Sequence, residues 1–397
     1  MDGMDKVKIY NAEVITPYRV IHGGTVLIEK GKISYVTDKA LQTEDYMEIN
    51  ACGKYVSPGF VDIHTHGGGG FDYMDGTVEA YLGAAEAHAR HGTTSLVPTT
   101  LTSTNEELKK TFQVYKAAKA GNKKGSELLG VHLEGPYFSL SQKGAQDPRY
   151  IRNPKPEEYM NIVEWSDDII RWSAAPELEG ALEFGRFIRN RGILPSIAHS
   201  DAIDEEVFNA FESGFTHVTH LYSGMSGVRR INAYRFAGVI EAALLMDEMT
   251  VEIIADGVHL PASLLKLIYK IKGADGIALV TDSMRAAGMP EGESILGSLK
   301  DGQKVIVEDG VAKLPDRTAF AGSVATADRL VRTMVKTAEV PLVMAVKMMT
   351  ITPASIIGVN GRKGSLTPGK DADVIIFDED ITVKLSMIQG KIIYDKR

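Results

Sequence analysis

The feature that most restricts the fold is a set of eight short, apolar, β-rich runs through the middle of the chain, at 58–63, 93–99, 128–133, 168–175, 193–198, 216–221, 250–255 and 277–281. Most segments between them carry helical spacing. Val78, Tyr81, Leu82 and Ala85 form one apolar stripe, and Val207, Phe208 and Phe211 form another. Eight strand–helix alternations over roughly 250 residues predict an α/β chain closed into a (β/α)8, TIM-like barrel. A doubly wound open sheet is the alternative, but no G-x-G-x-x-G follows the first run.

The two ends differ from the middle. Residues 7–15 and 25–29 are β-rich, Gly31 supplies a turn, and the last stretch (DADVIIFDED, ITVKLSMIQG, KIIYDKR) has the same character. Chain termini often lie close together. The expectation is a small β-sandwich from residues 1–55 and 358–397 flanking a barrel at 56–357. A chain of 397 residues that is 44% hydrophobic can bury both cores.

Charge narrows the partners. The net charge is −8 and no Lys/Arg run exceeds two, so nucleic acid is not expected and a small-molecule substrate is. No window approaches 18 apolar residues, so no membrane span is expected. The opening MDGMDKVKIY has no apolar core of a signal peptide, and the expected compartment is the cytoplasm. The single cysteine, Cys52, can form neither an intramolecular disulfide nor a thiolate metal site.

In a barrel of this kind, functional residues close the strands at their C-terminal ends. Run one ends in His64-Thr65-His66, whose period-two spacing puts both imidazoles on one side. Alone, such a pair fits two satisfied polar histidines as well as half a metal site. Run three ends in His132-Leu133-Glu134, and an acid closing a core strand is costly unless paired or metal-bound. His132 is expected deeper, packed or behind the ligands. Run five ends in His199-Ser200-Asp201, run six in His217 to His220, run eight in Thr281-Asp282-Ser283, and Asp256 to His259 follows run seven.

His64, His66, Glu134, His199, His220 and Asp282 together give six ligand positions. These suffice for two divalent metals sharing a bridging group, with Asp282 also the proton carrier. Without thiolate, such a site suits zinc, iron, cobalt or manganese. Other histidines receive blander readings. His88 and His91 are expected to be solvated or capping on a helix, His22 to lie away in the terminal β-region, and His217 to face away from the site, since it is an odd number of residues from His220. Met344, Met348 and Met349 read as core, and Gly67 to Gly70 as a simple loop.

These motifs make the chain resemble the N-acetylglucosamine-6-phosphate deacetylases of the amidohydrolase superfamily over nearly its whole length. The resemblance rests on PGFVDIHTHGGGG, GTTSLVPTT, HLEGPY, KGAQDPRYI, AHSDA, THLY, ADGVH, VTDSMRAAG, AGS and GSLTPGKDADVIIFD. HLEGP is the most specific segment, because dihydroorotases and hydantoinases use a modified lysine instead. The resemblance implies Glu134, His199 and His220 as the principal metal site and His64 with His66 at a second, so one or two metals per subunit. It implies acetamide hydrolysis to glucosamine 6-phosphate and acetate, and a homodimer with a phosphate-binding arginine crossing the interface. Implied substrate contacts are Ala145, Ser223, Gly224, Arg230, His259, Phe320, Ala321 and Gly322, with Arg229 and Arg235 as alternatives to Arg230.

Three departures stand out. Ser223-Gly224 replaces an Asn-Ala pair, GVRRINAYRFAG replaces an Arg-Glu-Pro-Gly loop, and Gln146 stands where some members have histidine. Two of these lie near the implied sugar and phosphate pocket. A deacetylase of an epimeric amino-sugar phosphate is the first alternative reading, and a non-catalytic scaffold on the same barrel is the second.

Overall fold

The structure, a computed structural model, describes residues 6–397. Eight parallel strands form the barrel, in the order Phe60–Thr65, Thr93–Thr100, Val131–Glu134, Ile169–Ala174, Leu194–Ile197, His217–Val218, Thr250–Ile253 and Ile277–Leu279, and the two-residue strand Glu127–Leu128 is a ninth member of the sheet, paired with Thr93–Thr100. Each barrel strand pairs with its neighbour in chain order. Just beyond strand eight, the Asp282 N–H donates to the His64 carbonyl at 2.9 Å and the His66 N–H donates to the Ser283 carbonyl at 2.8 Å. These bonds bring strand eight back to strand one, at the rim where the polar strand ends collect. The sequence runs and the barrel strands coincide.

The strands read as near-continuous apolar runs because both faces are buried, one by the helices and one by the barrel interior. The helix Val78–Ala89 shows how the covering works. Thr77 caps its first turn, and its buried face is Tyr81, Ala84, Ala85 and His88. That face is rotated from the predicted stripe, since Val78 is exposed and Leu82 only half-buried. In the helix Asp204–Glu212, Val207 is buried and Phe208 and Phe211 pack against the core from its edge.

Both chain ends build a separate eight-stranded sheet. Lys6–Ile15 lies at its centre, between Val20–Glu29 on one side and Met47–Asn50 and Tyr55–Pro58 on the other. The C-terminal strand Val374–Phe377 joins antiparallel to Tyr55–Pro58 and continues to Val383–Ile388 and Lys391–Asp395. Val7, Ile9, Val26, Val56, Val374 and Leu385 share its core. Among the described residues, no helix is long and apolar enough to cross a membrane.

Two features at the rim lie outside the alternating pattern. A three-stranded antiparallel sheet (Gly292–Leu296, Gln303–Glu308, Val311–Lys313) follows strand eight around its own small core of Leu296, Val305, Val307 and Ala312. An exposed hairpin (Arg229–Ile231 with Tyr234–Phe236) follows strand six and turns through Asn232 and Ala233, both with positive φ.

Candidate metal centre

All six predicted ligand residues meet at the C-terminal rim. The Nε2 atoms of His64, His66, His199 and His220 lie 3.7, 3.3, 3.4 and 2.9 Å from a Glu134 carboxylate oxygen. Asp282 Oδ1 is 3.4 Å from His64 Nε2 and 3.2 Å from His66 Nε2. Glu134 is 2% exposed and Asp282 8%. Among the described residues, no lysine or arginine pairs with either carboxylate, and their near neighbours of opposite character are the imidazoles.

Backbone strain helps to aim these groups. His199, His220 and Asp282 have φ of 46°, 27° and 45°, the left-handed region that non-glycine residues avoid, and each sits just past a strand end. This overturns the parity argument for His217. His220 has left the strand, whereas His217 remains in it and points into the barrel floor, with Nε2 3.4 Å from Glu252 Oε1 and Nδ1 2.7 Å from Thr250 Oγ1.

The donor set fits a divalent cation. The groups His64–His66–Glu134 and Glu134–His199–His220 each bring their ligand atoms within 4.8 Å of one another. A tetrahedral ion with bonds of about 2.0–2.1 Å separates its ligands by about 3.3 Å, close to most of the spacings above. Tautomers agree as well. His64 Nδ1 faces the Glu252 carboxylate at 3.1 Å and His199 Nδ1 faces the Gln142 carbonyl at 2.8 Å. Both partners accept, so each Nδ1 carries the proton and each Nε2 lone pair points into the cluster.

Charge in the cluster is distributed accordingly. Burial penalises the ionised Glu134, yet the surrounding His199, His220 and His66 hold it well below the usual carboxylate range. Burial likewise opposes charge on His66, but Asp282 and Glu134 hold its proton to well above the usual imidazole range.

Other histidines lie outside the cluster. His132 is fully buried, 3.2 Å from Thr99 Oγ1 and 2.7 Å from Ser173 Oγ, one layer below the ligands as expected. His88 corrects its prediction, because it is 3% exposed rather than solvated and its Nε2 lies 2.9 Å from the Gly67 carbonyl and 3.0 Å from Thr65 Oγ1. Burial pushes it down to about 4, so it is neutral near pH 7 and braces the loop after His66. His91 contacts Asp328 at 3.3 Å, and His22 lies out in the terminal sheet.

A cavity of about 290 Å³ opens over the cluster, lined by His66, Glu134, His199, His220 and Asp282, and by Ala145, Gln146, Ser223, Gly224, His259, Phe320 and Gly322. Ala321, also an expected contact, is fully buried behind its neighbours. Arg230 lies on the exposed hairpin and not in the lining, and Arg229 is tied to Asp201 at 2.8 Å. Asp256 orients His259 through Nδ1 at 2.8 Å, and Phe320 packs on the same ring with centroids 4.7 Å apart. A larger open groove of about 630 Å³ runs past His88 and His91, but none of the six ligand candidates lines it.

Gly224 is held to glycine here. Its φ is 58°, and a Cβ would meet His199 Nδ1 at 2.6 Å and the Gln142 carbonyl oxygen at 2.9 Å. Sequence reasoning missed two other residues, Glu252 and Arg171, and noted a third, Gln146, only as a departure. Gln146 donates to Glu134 Oε2 at 2.7 Å while its carbonyl accepts from the Thr102 N–H at 2.9 Å. Glu252 and Arg171 lie fully buried beneath the cluster. A charged residue in the middle of an apolar run was the available signal for the last two.

Comparison with known proteins agrees with this geometry. Residues 55–393 match the model of the amidohydrolase family. The chain belongs to the amidohydrolase family. Among members of that family, it is 33% identical over 395 residues to the N-acetylglucosamine-6-phosphate deacetylase of Bacillus subtilis (strain 168), covering 98% of each chain. It is also 33% identical to the N-acetylgalactosamine-6-phosphate deacetylase of Escherichia coli O157:H7, over 84% of this chain and 86% of that one. A point mutant of the N-acetyl-D-glucosamine-6-phosphate deacetylase of Mycobacterium smegmatis, solved in complex with N-acetyl-D-glucosamine-6-phosphate, superposes with a TM-score of 0.90. It is 28% identical, over 98% of this chain and 100% of that one.

Proposed function

We propose that this amidohydrolase removes the acetyl group of N-acetyl-D-glucosamine 6-phosphate, giving D-glucosamine 6-phosphate and acetate. The observation that carries the proposal is the convergence of Glu134, four histidines and Asp282 under one cavity, in a chain so similar along its length to a deacetylase of that substrate. Glu134, His199 and His220 would hold one divalent ion, and His64, His66 and Glu134 a second, with zinc, iron, cobalt and manganese all suited to such donors. A bound ion would supply a nucleophilic water near neutral pH and polarise the acetamide carbonyl.

The protein groups do the rest. Asp282 takes a proton from the attacking water as its oxygen bonds to the acetamide carbon. It then delivers that proton to the nitrogen as the C–N bond breaks, leaving amine and acetate. Ser223, Gly224, Ala145 and the Phe320–Gly322 segment bind the sugar. Among the described residues no arginine or lysine lines the cavity, so His259 needs a further cation to hold a phosphate. Arg230 from a second copy supplies it in this reading, making the working unit a homodimer, with the cytoplasm as its compartment.

The epimer, N-acetylgalactosamine 6-phosphate, is the second reading. It is favoured by the Ser223-Gly224 pair over the cavity and by similarity to the Escherichia coli enzyme. Acetate release from both sugar phosphates and from unphosphorylated N-acetylglucosamine, by metal-supplemented protein, separates these readings. The expected result is release from the glucosamine phosphate that falls about 10²- to 10⁴-fold in Asp282→Asn. Release from the epimer alone would move the substrate to the second reading. No release from any of them, by protein holding its metals, would end the deacetylase reading.

A further inference from the structure

Beneath the proposed metal centre, two charged side chains are wholly buried and do not line the cavity above it. Arg171, on barrel strand four, and Glu252, on strand seven, are each 0% exposed and form an ion pair. Arg171 is otherwise satisfied by the barrel floor. Its Nε donates to Ser196 Oγ at 2.8 Å, Nη2 to Thr219 Oγ1 at 2.7 Å and Nη1 to the Ile63 carbonyl at 3.3 Å. A bare guanidinium so close below would repel a divalent ion, and Glu252 stands between.

The two oxygens of Glu252 divide the work. Oε1 faces Arg171 and His217. Oε2 faces the metal centre, where it accepts from His64 Nδ1 at 3.1 Å and from the His220 backbone N–H at 3.2 Å. The Glu252 carbonyl also accepts from the Leu221 N–H at 2.8 Å. One residue therefore holds the ring of a ligand at one metal position and the strained backbone of a ligand at the other. Among the described residues, no other side chain hydrogen-bonds or ion-pairs with His64 Nδ1.

We infer that Glu252, held in place by Arg171, is a positioning residue that sets up both metal positions from below. It fixes the tautomer of His64 and pins the left-handed turn at His220. This rests on the metal-centre reading and adds to it. Because Oε2 orients a ring at the His64–His66 position but only a backbone amide at the His199–His220 position, the first position depends on it more.

The test is stepwise cobalt titration of the chelated protein, followed by absorption and by chelator competition, for wild type and Glu252→Gln. The variant keeps the shape and removes the charge. Loss of an oriented outer partner typically weakens metal binding about 10–100-fold. The expected result is a loss of that size at one of two binding steps, a smaller loss at the other, and a changed cobalt spectrum.

Glu252→Gln leaves Arg171 buried without its counterion, so folding is checked by thermal unfolding of the ion-free proteins. If it does not fold, Arg171→Met/Glu252→Gln removes both charges while still removing the carboxylate from His64, and the same weakening is expected. Wild-type affinities and spectrum in a folded variant would overturn the inference. Wild-type protein that takes up no cobalt, zinc, iron or manganese would instead overturn the metal-centre reading, and this inference with it.

Discussion

Among the described residues, three groups bring three metal-capable ligand atoms within 4.8 Å; two share Glu134 at the barrel rim and one lies elsewhere, and the two places differ in what neutralises them. At the barrel rim, Glu134 and Asp282 face histidines and, among the described residues, no lysine or arginine. Where the terminal sheet meets the N-terminal ends of the barrel strands, Glu127, Asp371 and Asp373 surround the ammonium of Lys363, at 2.5, 3.0 and 2.6 Å. Arg362 pairs with Glu127 at 2.7 Å and with Asp371 at 2.8 Å, and Lys32 also reaches Asp371. That cluster carries its own cation and clamps the two parts of the fold together. The rim cluster does not, and two of its histidines, His64 and His199, are fixed with lone pairs inward. Clustered carboxylates are therefore a poor guide to a metal site until the protein's own cations have been counted.

The contrast is sharpest if the built-in cation is removed. Lys363 is 1% exposed, so Lys363→Met leaves buried carboxylates without their shared partner and is expected to cost about 3–5 kcal/mol. Urea unfolding should show that loss, with bound metal unchanged. A variant as stable as wild type would mean Arg362 and Lys32 suffice for the clamp.

Chelation is the converse experiment. An ion at 100 times its dissociation constant stabilises the native state by about 2.7 kcal/mol. Stripping it should lower the melting temperature of wild type and of Lys363→Met alike. An effect confined to one of them would place the ion at the clamp.

Acid should act on the clamp by a smaller amount. Burial opposes the charge on Asp371, but Lys32 and Lys363 hold it down to about 2, and Arg362 and Lys363 likewise hold Glu127 below its usual range. A depressed carboxylate stabilises the fold above its unfolded pKa and loses that contribution as pH falls through its folded one. Clamp stability should thus decline between about pH 4 and 2. Asp373, pushed up by burial, offsets part of it. Melting curves of wild type and Lys363→Met over this range should converge; parallel curves would contradict the assignment.

The barrel was legible because its strands are apolar on both faces and end in polar residues, so run ends and rim coincide. The six ligand candidates were legible for the same reason. What escaped reading was whatever depends on distance in sequence or on local backbone. Lys363 and Glu127 are 236 positions apart. His217 was misplaced because strand parity fails once His220 turns left-handed. His88 was misread because helical spacing alone does not reveal the loop carbonyl it meets. The sheet after strand eight was not anticipated; its short strands lie between that strand and the next helix and have a core of their own. Gln146 was noted only as a departure, although its amide is bonded at both ends.

The most direct test of the central claim is elemental analysis of metal per chain, on wild type, Glu134→Gln and Lys363→Met purified side by side. The account predicts one or two divalent ions per chain in wild type and Lys363→Met, and a loss of at least one in Glu134→Gln. Metal-free wild type, or metal that survives in Glu134→Gln and disappears with Lys363, would contradict it.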